Sequence, residues 1–122
     1  MLELICTSHS PLLLNVTPVN AQQAEAFHAA IEDAHRRIKA FDPQIVVLFA
    51  PDHFNGFFHD AMPQFCVGFS AKGAEDWDIE PGNLNVPLDE AQRLAGHLLE
   101  HEFDIATSYA MTVDHGFTIA LN

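Results

Sequence analysis

The sequence predicts an α/β fold: a mostly parallel or mixed central sheet flanked by helices, in a single domain over residues 1–122. Three observations lead there. Short apolar runs at residues 2–6, 45–49, 65–69 and 105–109 have strand length and strand composition. Two longer segments, 21–40 and 88–102, carry apolar residues at steps of three and four. The two kinds of segment alternate along the chain, which is the signature of strands crossed over by helices.

The first run, 2–6, reads as a buried strand that opens into the polar turn Thr7-Ser8-His9-Ser10-Pro11. The first helix follows. Asn20 stands where a cap is needed, and Gln23 three residues on completes a capping-box pattern. Ala24, Phe27, Ile31, Ala34 and Ile38 form its apolar stripe, and Asp42-Pro43 ends it. Residues 45–49 are continuously apolar and rich in β-branched side chains, as in a strand covered on both faces. The run 65–69 predicts a further strand. The polar, acidic stretch 72–85, with Asp76, Asp78, Glu80 and Pro81-Gly82, reads as a solvated surface loop. It lacks the alternating Asp/Asn spacing, central Gly and closing Glu of a calcium loop. The second helix is expected to bury Leu88, Ala91, Ala95 and Leu98, and the run 105–109 predicts a last strand. From Gly116 onward the pattern reads as the start of another helix.

Composition narrows the function classes. With 48% hydrophobic and 18% charged residues the chain is globular in composition. A net charge of −12 argues against nucleic acid and anionic membrane surfaces as partners. No apolar stretch is long enough to span a bilayer and no basic leader precedes the first run, so a cytoplasmic location is expected. Cys6 and Cys66 both lie in apolar runs and read as buried, reduced thiols.

Three of the eight histidines share a position. His9 comes three residues after Cys6, His53 four after Phe49 and His115 six after Tyr109, each just past an apolar strand-like run. In open α/β sheets ligands bind outside the carboxyl ends of the strands, so loops from separate strands converge there. Imidazoles meeting at that rim suit a first-row metal or acid/base work. A single His in such a place is more often a structural, hydrogen-bonded residue; three at matching positions point to a site. In Pro51-Asp52-His53-Phe54-Asn55-Gly56 the Asn-Gly pair favours positive φ, which would reverse the chain and present His53 at the rim. Phe54, Phe57 and Phe58 read mainly as core, with an aromatic pocket wall as the functional alternative. Asp114, in Val113-Asp114-His115-Gly116-Phe117, is placed to orient a neighbour or to hold its own loop. His28 and His35 belong at the solvent boundary of the first helix, and His59 is assigned no role.

A rival motif, His97-Leu98-Leu99-Glu100-His101, fits the H-x-x-E-H pattern of a zinc hydrolase. At about 100° per residue, Leu98, Leu94, Ala91 and Ala95 share one side of the helix. His97 and Glu100 fall opposite, with His101 at the margin, so the match reads as a solvated face.

The motifs Ser8-His9-Ser10-Pro11, the run 47–58, Met62-Pro63-Gln64-Phe65-Cys66 and Val113-Asp114-His115-Gly116-Phe117 together resemble the class III extradiol ring-cleaving dioxygenases over essentially the whole chain. The resemblance implies that His9 and His53 are ligands of a non-haem Fe(II), completed by a glutamate into a 2-His-1-carboxylate triad. It implies an acid/base role for His115, with Asp52, Asn55 and Asp114 as supporting or pocket residues. It further implies a catechol of the dihydroxyphenylpropionate type and O₂ as substrates, and a homo-oligomeric full-length form. Members of the family continue well past 122 residues. The carboxylate ligand and a second acid/base histidine are therefore expected beyond Asn122, which makes the chain an N-terminal portion with little activity alone. A non-catalytic fragment or interaction domain that keeps the fold is the alternative.

Overall fold

The computed structural model describes residues 2–11, 16–77, 79 and 82–121, arranged as two compact units, Met1–Phe49 and Ala50–Asn122. Asp78, Glu80, Pro81 and Asn122 fall outside the described residues.

The first unit is built on α1, Ala21–Phe41. Its expected stripe is the protected face: Ala24 is buried, and Phe27, Ile31, Ala34 and Ile38 are partly covered. The 2–8 segment lies along this helix, with an open groove of about 440 Å³ between them, lined by Leu4, Cys6, Phe27, Ile31 and Ala34 among others. The Arg37 guanidinium hydrogen-bonds the Glu3 carboxylate across it. Asp42 ends the helix in the left-handed region (φ 49°), donating its backbone N–H to the Ile38 carbonyl at 3.0 Å. The expected capping box is not formed. Asn20 occupies the cap position, but its side-chain oxygen accepts from the backbone and hydroxyl of Thr17, at 2.6 and 2.9 Å, and so closes the preceding turn instead.

The second unit holds the sheet. β1 (Cys66–Gly68) pairs in parallel with β4 (Ala106–Ser108), and β2 (Ala71–Gly73) pairs in parallel with β5 (Met111–Val113). The antiparallel β3 (Asn83–Leu84) lies on the other side of β2, which makes the sheet mixed. The two parallel pairs are one pair of long strands sharing a bend. Phe69 N–H donates to Ser108 O at 2.7 Å and Met111 N–H to Ser70 O at 3.0 Å, so pairing continues through it. The Phe69 and Tyr109 rings meet edge to face at the bend, 5.0 Å apart. The crossover between the two strands contains α2, Leu88–Glu100, which buries Ala95 and packs near β1. β5 runs directly into a single helical turn, α3, His115–Thr118. A helix crossing between parallel strands of a small mixed sheet is the α/β arrangement expected.

Several expectations are corrected. The runs 2–6 and 45–49 carry strand propensity, yet neither joins a ladder among the described residues. Propensity alone does not make a strand; a hydrogen-bonding partner does. Consistent with that, Leu4 and Phe49 are 80% and 86% exposed. Cys6, in the first run, is exposed rather than buried, whereas burial pushes the partly covered Cys66 thiol up in pKa. Leu88 at the start of α2 is also exposed. Finally, the acidic stretch is no simple solvated loop: it begins in β2, ends in β3 and buries Ile79.

Candidate functional site

Parallel pairing of β2 with β5 places Gly73 opposite Val113. The residues that follow these two strands therefore emerge side by side at one carboxyl rim, where the helix-flanked sheet offers a ligand site. Asp76 leaves one strand, and Asp114 and His115 leave the other. The 51–56 turn of the same unit closes onto them, and two glycines make the approach possible. A Cβ on Gly56 would lie 2.8 Å from the Thr112 carbonyl oxygen, and one on Gly116 only 2.5 Å from that of Pro51. The left-handed residue of this turn is Phe54 (φ 64°), not the Asn55-Gly56 pair that the sequence suggests; Gly56 is needed for its missing side chain.

Asp114 is wholly buried and organises the site. Its Oδ1 accepts the Gly116 backbone N–H at 2.9 Å, capping α3. Its Oδ2 accepts the His53 backbone N–H at 3.0 Å and the Asn55 amide at 2.9 Å. His53 Nδ1 lies 3.1 Å from the same oxygen. Burial pushes this carboxyl up, but the donors from Gly116, His53 and Asn55 outweigh it and hold the group below the ordinary carboxylate range. An ionised carboxylate can only accept, so the contact from His53 Nδ1 is made with a proton on that nitrogen. Asp52 does separate work: its Oδ1 accepts the Gly56 N–H at 2.9 Å and tightens the turn.

His115 is arranged in parallel fashion. Its Nδ1 lies 2.7 Å from Asp76 Oδ2, and its backbone N–H donates to the same oxygen at 3.1 Å. The His53 and His115 rings stack, 4.4 Å apart and 14° from parallel, and Trp77 approaches His115 edge-on at 6.0 Å. His53, Asp114 and His115 offer ligand atoms within 4.8 Å of one another. Asp114 is nevertheless unsuited to bind a cation directly, because both its oxygens are already committed to protein donors. The imidazoles are the available ligand type, and each has a carboxylate on Nδ1, the arrangement that sets a histidine up to bind metal or move a proton through Nε2.

His53, Asn55, Asp114 and His115 are thus brought together, with Asp52 in the supporting turn. His9 is partly buried in the other unit, in irregular chain after Cys6. Asp76 was missed by sequence reasoning. The run 65–69 continues past a bend to Gly73, and the rim rule applied to that longer strand would have singled out the acidic residues just beyond it. His97, Glu100 and His101 are exposed, as expected of a solvated face.

Residues 3–122 match the family described as the catalytic LigB subunit of aromatic ring-opening dioxygenase, and the chain belongs to that family. Within it, the chain is similar to enzymes named 2,3-dihydroxyphenylpropionate/2,3-dihydroxicinnamic acid 1,2-dioxygenase. The Photorhabdus laumondii enzyme is 48% identical over 95% of this chain and 36% of its own length. Those of Rhodococcus rhodochrous and Pseudomonas putida are 50% and 49% identical, over 93% and 92% of this chain and 35% of their own length. The chain thus spans about a third of the length of the curated relatives it matches.

Proposed function

We propose that this chain, residues 1–122, is the N-terminal part of the catalytic domain of an Fe(II)-dependent extradiol dioxygenase. The reaction is ring cleavage of 3-(2,3-dihydroxyphenyl)propionate or a similar catechol by O₂, in aromatic catabolism. The supporting observation is the stacked pair His53 and His115, each with its Nδ1 on a carboxylate at the rim of a parallel strand pair.

In this reading His53 offers Nε2 as a metal ligand, with Asp114 fixing the ring plane and Asn55 fixing Asp114. His9 is the second imidazole ligand, assigned from its motif. Bound Fe(II) would supply electron transfer between catechol and O₂ and, by its charge, favour the deprotonated catechol. His115 is the acid/base residue, holding and passing a proton at Nε2 beside the ligand histidine. Asp52 keeps the 52–56 turn closed so that His53 stays at the rim. The enzyme would be cytoplasmic and homo-oligomeric. No helix among the described residues is long and apolar enough to cross a membrane.

The test is oxygen uptake by a parent chain of the relatives' length, loaded anaerobically with Fe(II) and given the catechol. A yellow ring-fission product is expected; a colourless mixture without oxygen uptake overturns the reading in favour of a non-catalytic domain. For the 122-residue chain the expectation is weak Fe(II) binding that falls further in His53→Ala, with negligible turnover. Replacing His97 and His101 by Ala should leave both results unchanged.

A further inference from the structure

We infer that Asp76 is a positioning residue for His115: it holds the proton on Nδ1, so that Nε2 is the nitrogen that meets the reacting atoms. The inference rests on the reading above for its functional meaning, but its physical content stands on geometry alone. Asp76 Oδ2 takes two donors from one residue, the His115 backbone N–H at 3.1 Å and Nδ1 at 2.7 Å. An ionised carboxylate oxygen only accepts, as this one does from the backbone N–H, so the short contact to Nδ1 is completed by a proton on the ring. The pair of bonds fixes both the rotamer and the tautomer of His115, since the ring cannot turn about its side-chain torsions without breaking the second bond. The side chains are largely enclosed, at 14% exposed for His115 and 21% for Asp76. Water therefore competes weakly for either position.

The surroundings strengthen the assignment. His115 stacks against His53, whose own Nδ1 is directed at Asp114. Two carboxylates on adjacent parallel strands thus turn two stacked rings the same way, Nδ1 toward the protein body. A His115 ring turned over about its Cβ–Cγ bond would present Cδ2 to Asp76 in place of Nδ1 and lose the paired contact. Strand register is what delivers Asp76: Gly73 lies opposite Val113, and each chain needs only two or three residues more to reach the meeting point.

The experiment reads the tautomer directly, in the 122-residue chain with ¹⁵N-labelled histidine, well above the ordinary histidine pKa of about 6.5. Long-range proton–nitrogen spectra assign each ring as Nδ1–H or Nε2–H. In the wild-type chain His115 is expected as Nδ1–H, whereas solvated histidines such as His28 favour Nε2–H. In Asp76→Ala, His115 should shift to predominantly Nε2–H while His53, held by Asp114, keeps its signal. Asp76→Glu, which retains a carboxylate, should restore part of the Nδ1–H population. An Nε2–H His115 in the wild-type chain overturns the inference whatever the variants do, and so does an unshifted His115 in Asp76→Ala. A loss of the His53 signal in that variant would show the rim unfolded; the wild-type spectrum and Asp76→Glu then decide. Neither iron nor catechol enters the measurement. A failure of ring cleavage in the parent enzyme would therefore leave a positive result standing, and a negative result would not touch the assigned reaction.

Discussion

At the residue scale the site depends on what is absent from Gly116 as much as on the carboxylate beside it. A methyl group there would sit 2.5 Å from the Pro51 carbonyl and 3.2 Å from the His53 ring. Gly116→Ala should therefore push the 51–53 segment off Asp114 and destabilise the fold by about 1–3 kcal/mol, as for other overpacked positions. A urea unfolding curve with an unchanged midpoint would contradict this. Asp114 makes a pH prediction. Its folded pKa is depressed, so its contribution to stability is fully present above the unfolded value of about 3.9 and is lost as pH falls through the folded value. Asp114→Asn exchanges one acceptor oxygen for a donor that must face either the Gly116 N–H or the donors of His53 and Asn55, a cost of about 1–3 kcal/mol at neutral pH. Stability of the two proteins should converge as pH drops below 4, because protonation removes the same acceptor from the wild type. A gap that stayed constant in acid would assign the effect to shape, not charge. Asp114 and His115 were singled out in the sequence because they lie within six residues of the apolar run that ends at Tyr109. Asp76 was not, because a two-residue bend hid the strand that carries it.

At the scale of elements, helices were read well and strands only in part, since 65–69 and 105–109 hold β1 and β4 while the other two runs join no ladder among the described residues, and the physics explains the split. A helix satisfies its backbone within one segment, so the period of Ala24, Phe27, Ile31, Ala34 and Ile38 suffices to find α1 almost to the residue. A strand needs a partner far away in sequence, which no local pattern names: 2–6 and 45–49 have the composition without the ladder, while Asn83–Leu84 has the ladder with little composition. The end of α2 shows the same limit on a smaller scale. Phe103 N–H reaches the Leu98 carbonyl at 3.0 Å and Glu102 N–H reaches Leu99 at 3.1 Å, the two bonds of a Schellman stop. Glycine usually fills the left-handed position of that motif, but here Glu102 does, at φ 62°. Without the glycine the stop is invisible, and the helix is expected to run to 102 when it ends at Glu100. Glu102→Gly should relieve the left-handed strain and raise stability by up to about 1 kcal/mol. Thermal denaturation followed by far-ultraviolet circular dichroism would check it; a lower midpoint would mean that the glutamate makes a compensating contact.

At the scale of the whole molecule two features oppose each other. The apolar residues Leu2, Leu4, Val46, Val47 and Phe49 carry the pattern of buried strands, yet each is more than half exposed, and Phe49 reaches 86%. Single exposed apolar side chains are ordinary, but a run of them is a surface that gains by being covered. Against this stands a net charge of −12, which keeps copies of the chain apart. The burial requirement was legible in the sequence; what meets it was not, because the pattern says only that a face is apolar and never which surface lies on it. The balance can be tipped by salt. At low ionic strength the repulsion extends over tens of ångströms, whereas in about 1 M salt the screening length falls to about 3 Å and leaves the short-range apolar attraction in place. The chain should therefore scatter as a monomer in dilute buffer and self-associate as salt is raised, the reverse of an assembly held by ion pairs. Phe49→Lys should weaken the salt-induced association by placing a charge in the apolar run, while the monomer's far-ultraviolet spectrum stays the same. Sedimentation of both proteins across a salt series decides the matter: association that weakens with salt, or that is indifferent to Phe49, would place the sticky surface elsewhere on the molecule.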